Sequence, residues 1–116
     1  MARYTGIFTV SFGIEDLQPI FIEILTYCGC EIIYNRRDYL MARELPGQVS
    51  FPKLVYIDIN LERLSNATEK TRIKIVVRSE ELAVKLDNHC YQVFYLLTKL
   101  IVENSHWELL ESIINN

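Results

Sequence analysis

Residues 55–78, VYIDINLERLSNATEKTRIKIVVR, decide the fold. Within a run over residues 53–63, Val55, Ile57, Ile59 and Leu61 alternate with Tyr56, Asp58, Asn60 and Glu62. Over residues 70–78, Thr71, Ile73, Ile75 and Val77 alternate with Arg72, Lys74 and Arg78. Successive side chains of a strand point to opposite faces, so each run predicts a strand with one apolar and one polar face. Ser65-Asn66-Ala67-Thr68 between them is turn chemistry. Asp58 and Glu62 can then face the basic residues across neighbouring strands, each pair adding roughly 0.2–1 kcal/mol.

Working outward, residues 4–12 alternate as well, with Tyr4, Gly6, Phe8, Val10 and Phe12 on one face and Thr5, Ile7, Thr9 and Ser11 on the other. From Ile14 the period lengthens: Ile14, Leu17, Ile20, Phe21, Ile24, Leu25 and Cys28 fall at helical spacing. Glu15 and Asp16 suit the first turn of that helix, Pro19 is early enough to be tolerated, and Gly29 is a natural stop. Residues 30–35 and 39–44 flank Arg36-Arg37-Asp38 and predict a hairpin, closed off by a turn at Pro46-Gly47. From about Glu80 the pattern is helical again and is expected to run close to the C-terminus. Asp87 is the expected N-cap of its main body, and Ser105-His106-Trp107-Glu108 reads as a capping box that restarts it after a kink.

The predicted order is β-α-β-β-β-β-α. An antiparallel sheet with one apolar face needs a cover, so the expected fold is a two-layer α+β sandwich. About five strands would be covered on one face by two helices. A length of 116 residues and a mass of 13.6 kDa suit a single domain over residues 1–116. The formal net charge of −3 argues against nucleic acid as a partner. No run approaches the ~18–20 apolar residues of a spanning helix. The N-terminus alternates where a signal peptide would be continuously apolar. Three cysteines without an export signal predict reduced thiols and a cytoplasmic protein.

The last helix is the most informative element. At 100° per residue, Cys90, Val93, Phe94, Leu97 and Ile101 form one face, which should cover the sheet. Leu96 and Leu100 widen it on one flank, and Tyr91, Tyr95 and Val102 on the other. A surface helix needs an apolar arc a little over ~100° wide, and this arc is about twice that. Either a curved sheet wraps the helix, or one flank meets a second copy of the chain, a protein partner or a hydrophobic ligand.

Charge is segregated along the chain. Residues 1–35 carry one base and four acids, residues 36–78 nine bases and five acids, and residues 79–116 two bases and six acids. The basic strands could offer Arg72, Lys74 and Arg78 to an anionic partner, although Asp58 and Glu62 can balance them. Tyr34, Tyr39 and Tyr56 beside Arg and Lys are the ingredients for stacking single-stranded nucleic acid. The acidic helices and the lack of an RNP-type run disfavour that use.

Cys28, Cys30, His89 and Cys90 form the one set with metal-ligand chemistry. The C-x-C spacing at a helix end turns the two sulfurs apart, and Cys28 and Cys90 both fall on core faces. Asp87, His89 and Cys90 suggest a Cys–His–Asp arrangement, but helical rotation separates His89 from Asp87 by 200° and from Cys90 by 100°. There is no P-loop, Rossmann glycine pattern or nucleophile elbow. Enzyme activity is therefore unsupported, and no cofactor is expected.

The strand–helix–four-strand–helix order resembles the TBP-like fold and the larger helix-grip (START-like) domains. The second resemblance implies a hydrophobic ligand between the C-terminal helix and the sheet, although this chain is shorter and has fewer strands. The stretch Asp38-Tyr39-Leu40-Met41-Ala42-Arg43-Glu44-Leu45-Pro46-Gly47-Gln48-Val49 resembles a small family of uncharacterised cyanobacterial proteins. So do Glu80-Glu81-Leu82 and Asp87-Asn88-His89-Cys90. That resemblance implies a cytoplasmic protein of a photosynthetic bacterium and transfers no functional residue. The expected function is non-enzymatic binding, as a homodimer or partner-binding module, through Tyr91 and Tyr95 or Leu96 and Leu100. The alternatives are a hydrophobic ligand carrier and a thiol or metal protein using Cys28, Cys30 and Cys90.

Overall fold

A computed structural model describes residues 1–65, 68–82 and 88–115. The elements are β1 (Ala2–Val10), α1 (Ile14–Tyr27), β2 (Cys30–Arg36), β3 (Tyr39–Glu44), β4 (Tyr56–Ser65), β5 (Lys70–Ser79), α2 (His89–Val102) and β6 (Leu109–Asn115). The strands form one antiparallel sheet in the order β2-β3-β4-β5-β1-β6. Both helices cover the same face. Under them lie Tyr4, Phe8 and Val10 of β1, Leu40 and Ala42 of β3, Ile57 and Ile59 of β4, and Ile73, Ile75 and Val77 of β5, all buried.

The local signals explain these elements. Helix α1 buries Ile14, Leu17, Phe21, Ile24 and Leu25 along one stripe and continues through Pro19. It ends where Gly29 takes the left-handed φ of +79° and donates its N–H to the Thr26 carbonyl. The β4–β5 register sets Asp58 beside Val76, Glu62 opposite Arg72 and Tyr56 opposite Arg78. The expected cross-strand ion pairs form, Arg72 to Glu62 at 2.9 Å and Arg78 to Asp58 at 3.2 Å. Of the expected turn, Asn66 and Ala67 lie outside the described residues. Strand β4 starts at Tyr56, later than residue 53, because Phe51–Lys53 forms a 3₁₀ turn led by proline chemistry.

The C-terminal segment departs from expectation. Helix α2 starts at His89 and ends at Val102, and the N-cap is Asn88, whose side chain accepts from the Tyr91 N–H at 2.8 Å. Asp87, the expected cap, lies outside the described residues. Ser105–Glu108 does not restart a helix. Trp107 is buried there, donating Nε1–H to the Ile101 carbonyl at 3.0 Å and stacking on Phe21 at 6.1 Å. The chain then becomes β6, a sixth strand. Trp107, Leu110 and Ile114 fall at helical spacing, so periodicity alone favours a helix. The outer edge of β1 decides otherwise: residues Thr5–Val10 present backbone donors and acceptors that only another strand can pair.

Candidate interaction surface

The wheel places α2 correctly on the sheet: Cys90, Val93, Phe94, Leu97 and Ile101 are its buried residues. The wide arc around that stripe is only partly absorbed by the core. On one flank Leu100 is partly buried and Leu96 is exposed. Leu100 closes against Ile24, Tyr27 and the stem of Glu23 on α1, leaving a groove of about 190 Å³ between the helices.

The other flank is built differently. Tyr91 is half-buried, its ring 5.3 Å from Tyr4 and 6.5 Å from Tyr95. Tyr95 is 59% exposed. Tyr91, Phe94, Tyr95 and Thr98 face Ile114 of β6 across a groove of about 240 Å³. The Thr98 hydroxyl is buried and has no hydrogen-bond partner among the described residues. Beyond the groove, Leu110, Ile113 and Ile114 are each nearly half exposed, and Val102 is exposed at the end of the helix. The apolar surface therefore runs from the helix flank across the groove to Ile114, while Ile113, paired with Ile7, lies on the other face of the sheet. Sequence reasoning missed β6, and with it half of this surface.

The sheet face away from the helices carries Arg72, Lys74 and Arg78. Two of the three are committed: Arg72 to Glu62, and Arg78 to Asp58 while its guanidinium sits 5.1 Å over the Tyr56 ring. Lys74 borders a shallow depression of about 340 Å³ with Ile7, Asn60, Glu62 and Arg72. Tyr34, Tyr39 and Tyr56 do share this face. The Tyr39 hydroxyl donates to Asp58 at 2.7 Å, and Arg36 lies 5.3 Å from the Tyr34 ring centre. Glu31 pairs with Arg43 in the row that runs on through Tyr56 to Arg78. Arg43, Arg72 and Arg78 are thus each paired with a carboxylate, which reduces the field this face offers to phosphate.

At the start of α2, His89 does not meet the cysteines as a ligand set. Its Nε2 lies 2.9 and 2.8 Å from the two oxygens of Glu44, at the end of β3. A carboxylate oxygen accepts, and the Nε2–H tautomer of His89 is the one that donates to it. Glu44 is buried and also accepts from the Val55 N–H at 3.2 Å. The signal was present in the sequence: Glu44 holds the same inward phase as Leu40 and Ala42. Cys30 and Cys90 are buried and Cys28 half-buried. Burial pushes Cys28 up to about 11, Cys30 to about 12 and Cys90 to about 11, so all three are thiols at neutral pH. Among the described residues, no group of three or more His, Cys, Asp or Glu is placed to hold a metal ion. None of the described helices is long and apolar enough to cross a membrane.

No family model matches the chain, and no curated protein matches it. Among solved structures, a conserved protein from Geobacillus kaustophilus is similar at a TM-score of 0.40 and 14% identity, over 92% of this chain and 99% of that one. A likeness at that level assigns neither family nor function.

Proposed function

We propose that this chain is a non-enzymatic, cytoplasmic binding protein that works by protein–protein contact through the Tyr91/Tyr95 flank of α2 and the strand beside it. One observation carries the reading: exposed Tyr95 and Ile114 flank an apolar groove that half-buried Tyr91 and buried Phe94 also line. Aromatic side chains give large contact area at low entropic cost, which suits a contact surface. The Leu96/Leu100 flank supports the role less well, because Leu100 is already closed against α1. The ligand-carrier alternative is also weaker. Phe8, Phe21, Leu17, Leu25, Leu97 and Ile101 fill the layer between helices and sheet. The two helix-flank grooves fall below the ~300–1,000 Å³ of small-molecule pockets. The buried, protonated thiols favour a structural role for the cysteines.

A photo-activated cross-linking residue in place of Tyr95, with the same residue in place of exposed Arg37 as control, tests this in living cells. The expected result is a protein adduct at position 95 and none at 37, with the adduct mass identifying a second copy or another chain. Irradiation that leaves position 95 uncoupled to any protein refutes the reading.

A further inference from the structure

We propose that the occupant of this surface is a second copy of the same chain, which pairs β6 against β6 antiparallel and extends the sheet from six strands to twelve. The inference rests on the interaction reading above and adds its partner and geometry. Three features of β6 support it.

The first is that β6 is an unprotected edge. It terminates the sheet order, so among the described residues one side of its backbone has no ladder partner. Such edges are normally blunted by lysine, proline, a bulge or a cover, because an open ladder recruits another strand. The opposite edge follows that rule: β2 is bulged between Ile32 and Tyr34 and ends at Arg36, which lies against Tyr34. Strand β6 has neither lysine nor proline. Its one irregularity, at Leu110, falls near its start, and Glu111–Asn115 then run in regular register with β1.

The second is self-complementarity. A two-fold pairing that keeps both helix layers on one side must centre on a residue, since directly opposed side chains share a face. Centring on Glu111 would oppose two carboxylates. Centring on Ser112 sets Glu111 opposite Ile113 of the other copy and brings Ile114 beside Leu110. The two glutamates are then diagonal neighbours about 7–8 Å apart, and small serines meet at the axis. The Tyr95 side of α2 borders the same groove as Ile114, so the two helix flanks approach across the same axis.

The third is size. Seven residues at about 3.3 Å each make an edge about 23 Å long. The molecule is 20 Å through its thinnest direction. The side wall is therefore about 460 Å² per copy, and the pair buries about 900 Å². That lies between lattice contacts, mostly below ~800 Å², and standard interfaces of ~1,200–2,000 Å². The dimer is thus a weak, reversible one with a dissociation constant in the micromolar range. Pairing about a two-fold axis closes on itself and does not propagate into a fibre.

The test is native mass spectrometry across a dilution series up to about 100 μM, with Ile113→Glu, Leu96→Lys as the control flank, and Ser112→Cys. The expected result is a doubling of the 13.6-kDa mass as concentration rises. Ile113→Glu should weaken the dimer at least about tenfold, because it sets a second carboxylate opposite Glu111 of the other copy, and Leu96→Lys should leave it unchanged. Ser112→Cys should form a covalent dimer on mild oxidation, because opposed residues of an antiparallel pair lie within disulfide reach. Both charged substitutions fall on exposed side chains, and circular dichroism checks that the variants fold. A monomer at every concentration overturns the proposal. So does a dimer indifferent to Ile113→Glu, or a Ser112→Cys chain that stays uncrosslinked. An adduct at position 95 with a different protein, from a chain that is monomeric here, overturns the second copy as occupant while leaving the interaction reading intact. An uncoupled position 95 removes that reading itself.

Discussion

Replacing His89 with alanine should destabilise the fold by about 2 kcal/mol. The magnitude follows from what is left behind. Glu44 is a buried carboxylate held by His89 Nε2 at 2.9 and 2.8 Å and by one backbone N–H at 3.2 Å. Breaking a fully buried charged pair by removing one partner costs about 3–5 kcal/mol, while a single hydrogen bond to a charged group contributes about 1.5–3 kcal/mol. The His89 side chain is 24% exposed. Water can therefore reach the truncated site, which moves the expected cost to the lower range. A chain of 116 residues unfolds with about 2.1 cal/mol/K of entropy per residue near 60 °C, so 1 kcal/mol corresponds to roughly 4 °C. The expected fall in Tm is about 8 °C. The partnership itself is read from a double-mutant cycle of His89→Ala, Glu44→Gln and both together. Removing the charge from Glu44 should relieve much of the His89→Ala penalty, giving a coupling of about 1–2 kcal/mol. A Tm shift below about 2 °C for His89→Ala would refute the reasoning. So would additive single effects, since the pair would then not act as a unit. The contact joins the first turn of α2 to the end of β3 and so helps to set the angle at which the helix flank is presented.

Burial that raises all three thiols has two consequences. The folded chain keeps protons that the unfolded chain releases above the ordinary thiol value of 9.0, so the thiol contribution to stability is full below pH 9. It is lost as pH rises toward 11–12, and the urea midpoint should fall over that window by more than in a chain lacking the cysteines. Alkylation of the native protein at pH 8 should be far slower than in denaturant, and equal rates would contradict the burial. Trp107→Ala should cost about 3–5 kcal/mol, seen as a large drop in Tm, because the indole fills a buried site against Phe21 and supplies a partner for the Ile101 carbonyl. A drop under about 1 kcal/mol would mean that Trp107 is solvated and the turn into β6 is wrong. Thr98→Val should leave Tm unchanged or raise it by up to a few degrees, since it removes a buried hydroxyl with no partner among the described residues. A clear loss of stability would show that the hydroxyl is satisfied.

Periodicity was legible wherever one face of an element meets the core. The alternation in β1, β4 and β5, the stripe of α1 with its stop at Gly29, and the five core residues of α2 follow from local spacing, because burial of one face imposes that spacing. The ion pairs of Asp58 with Arg78 and Glu62 with Arg72 were readable for the same reason, since register between adjacent strands carries polar partners along with apolar ones. Three other features depended on segments distant in sequence. Strand β6 exists because the outer edge of β1, about a hundred residues earlier, has backbone groups to pair, and the 109–115 segment has no spacing that distinguishes strand from helix. His89 and Glu44 meet across 45 residues, and neither alone signals the other. The wide apolar arc of α2 was visible in the sequence, but which flank stays open was decided by what packs beside it: α1 against Leu100, and an edge strand beside Tyr95. Local spacing records which face of an element is buried, whereas the partner across that face is set by how the whole chain closes.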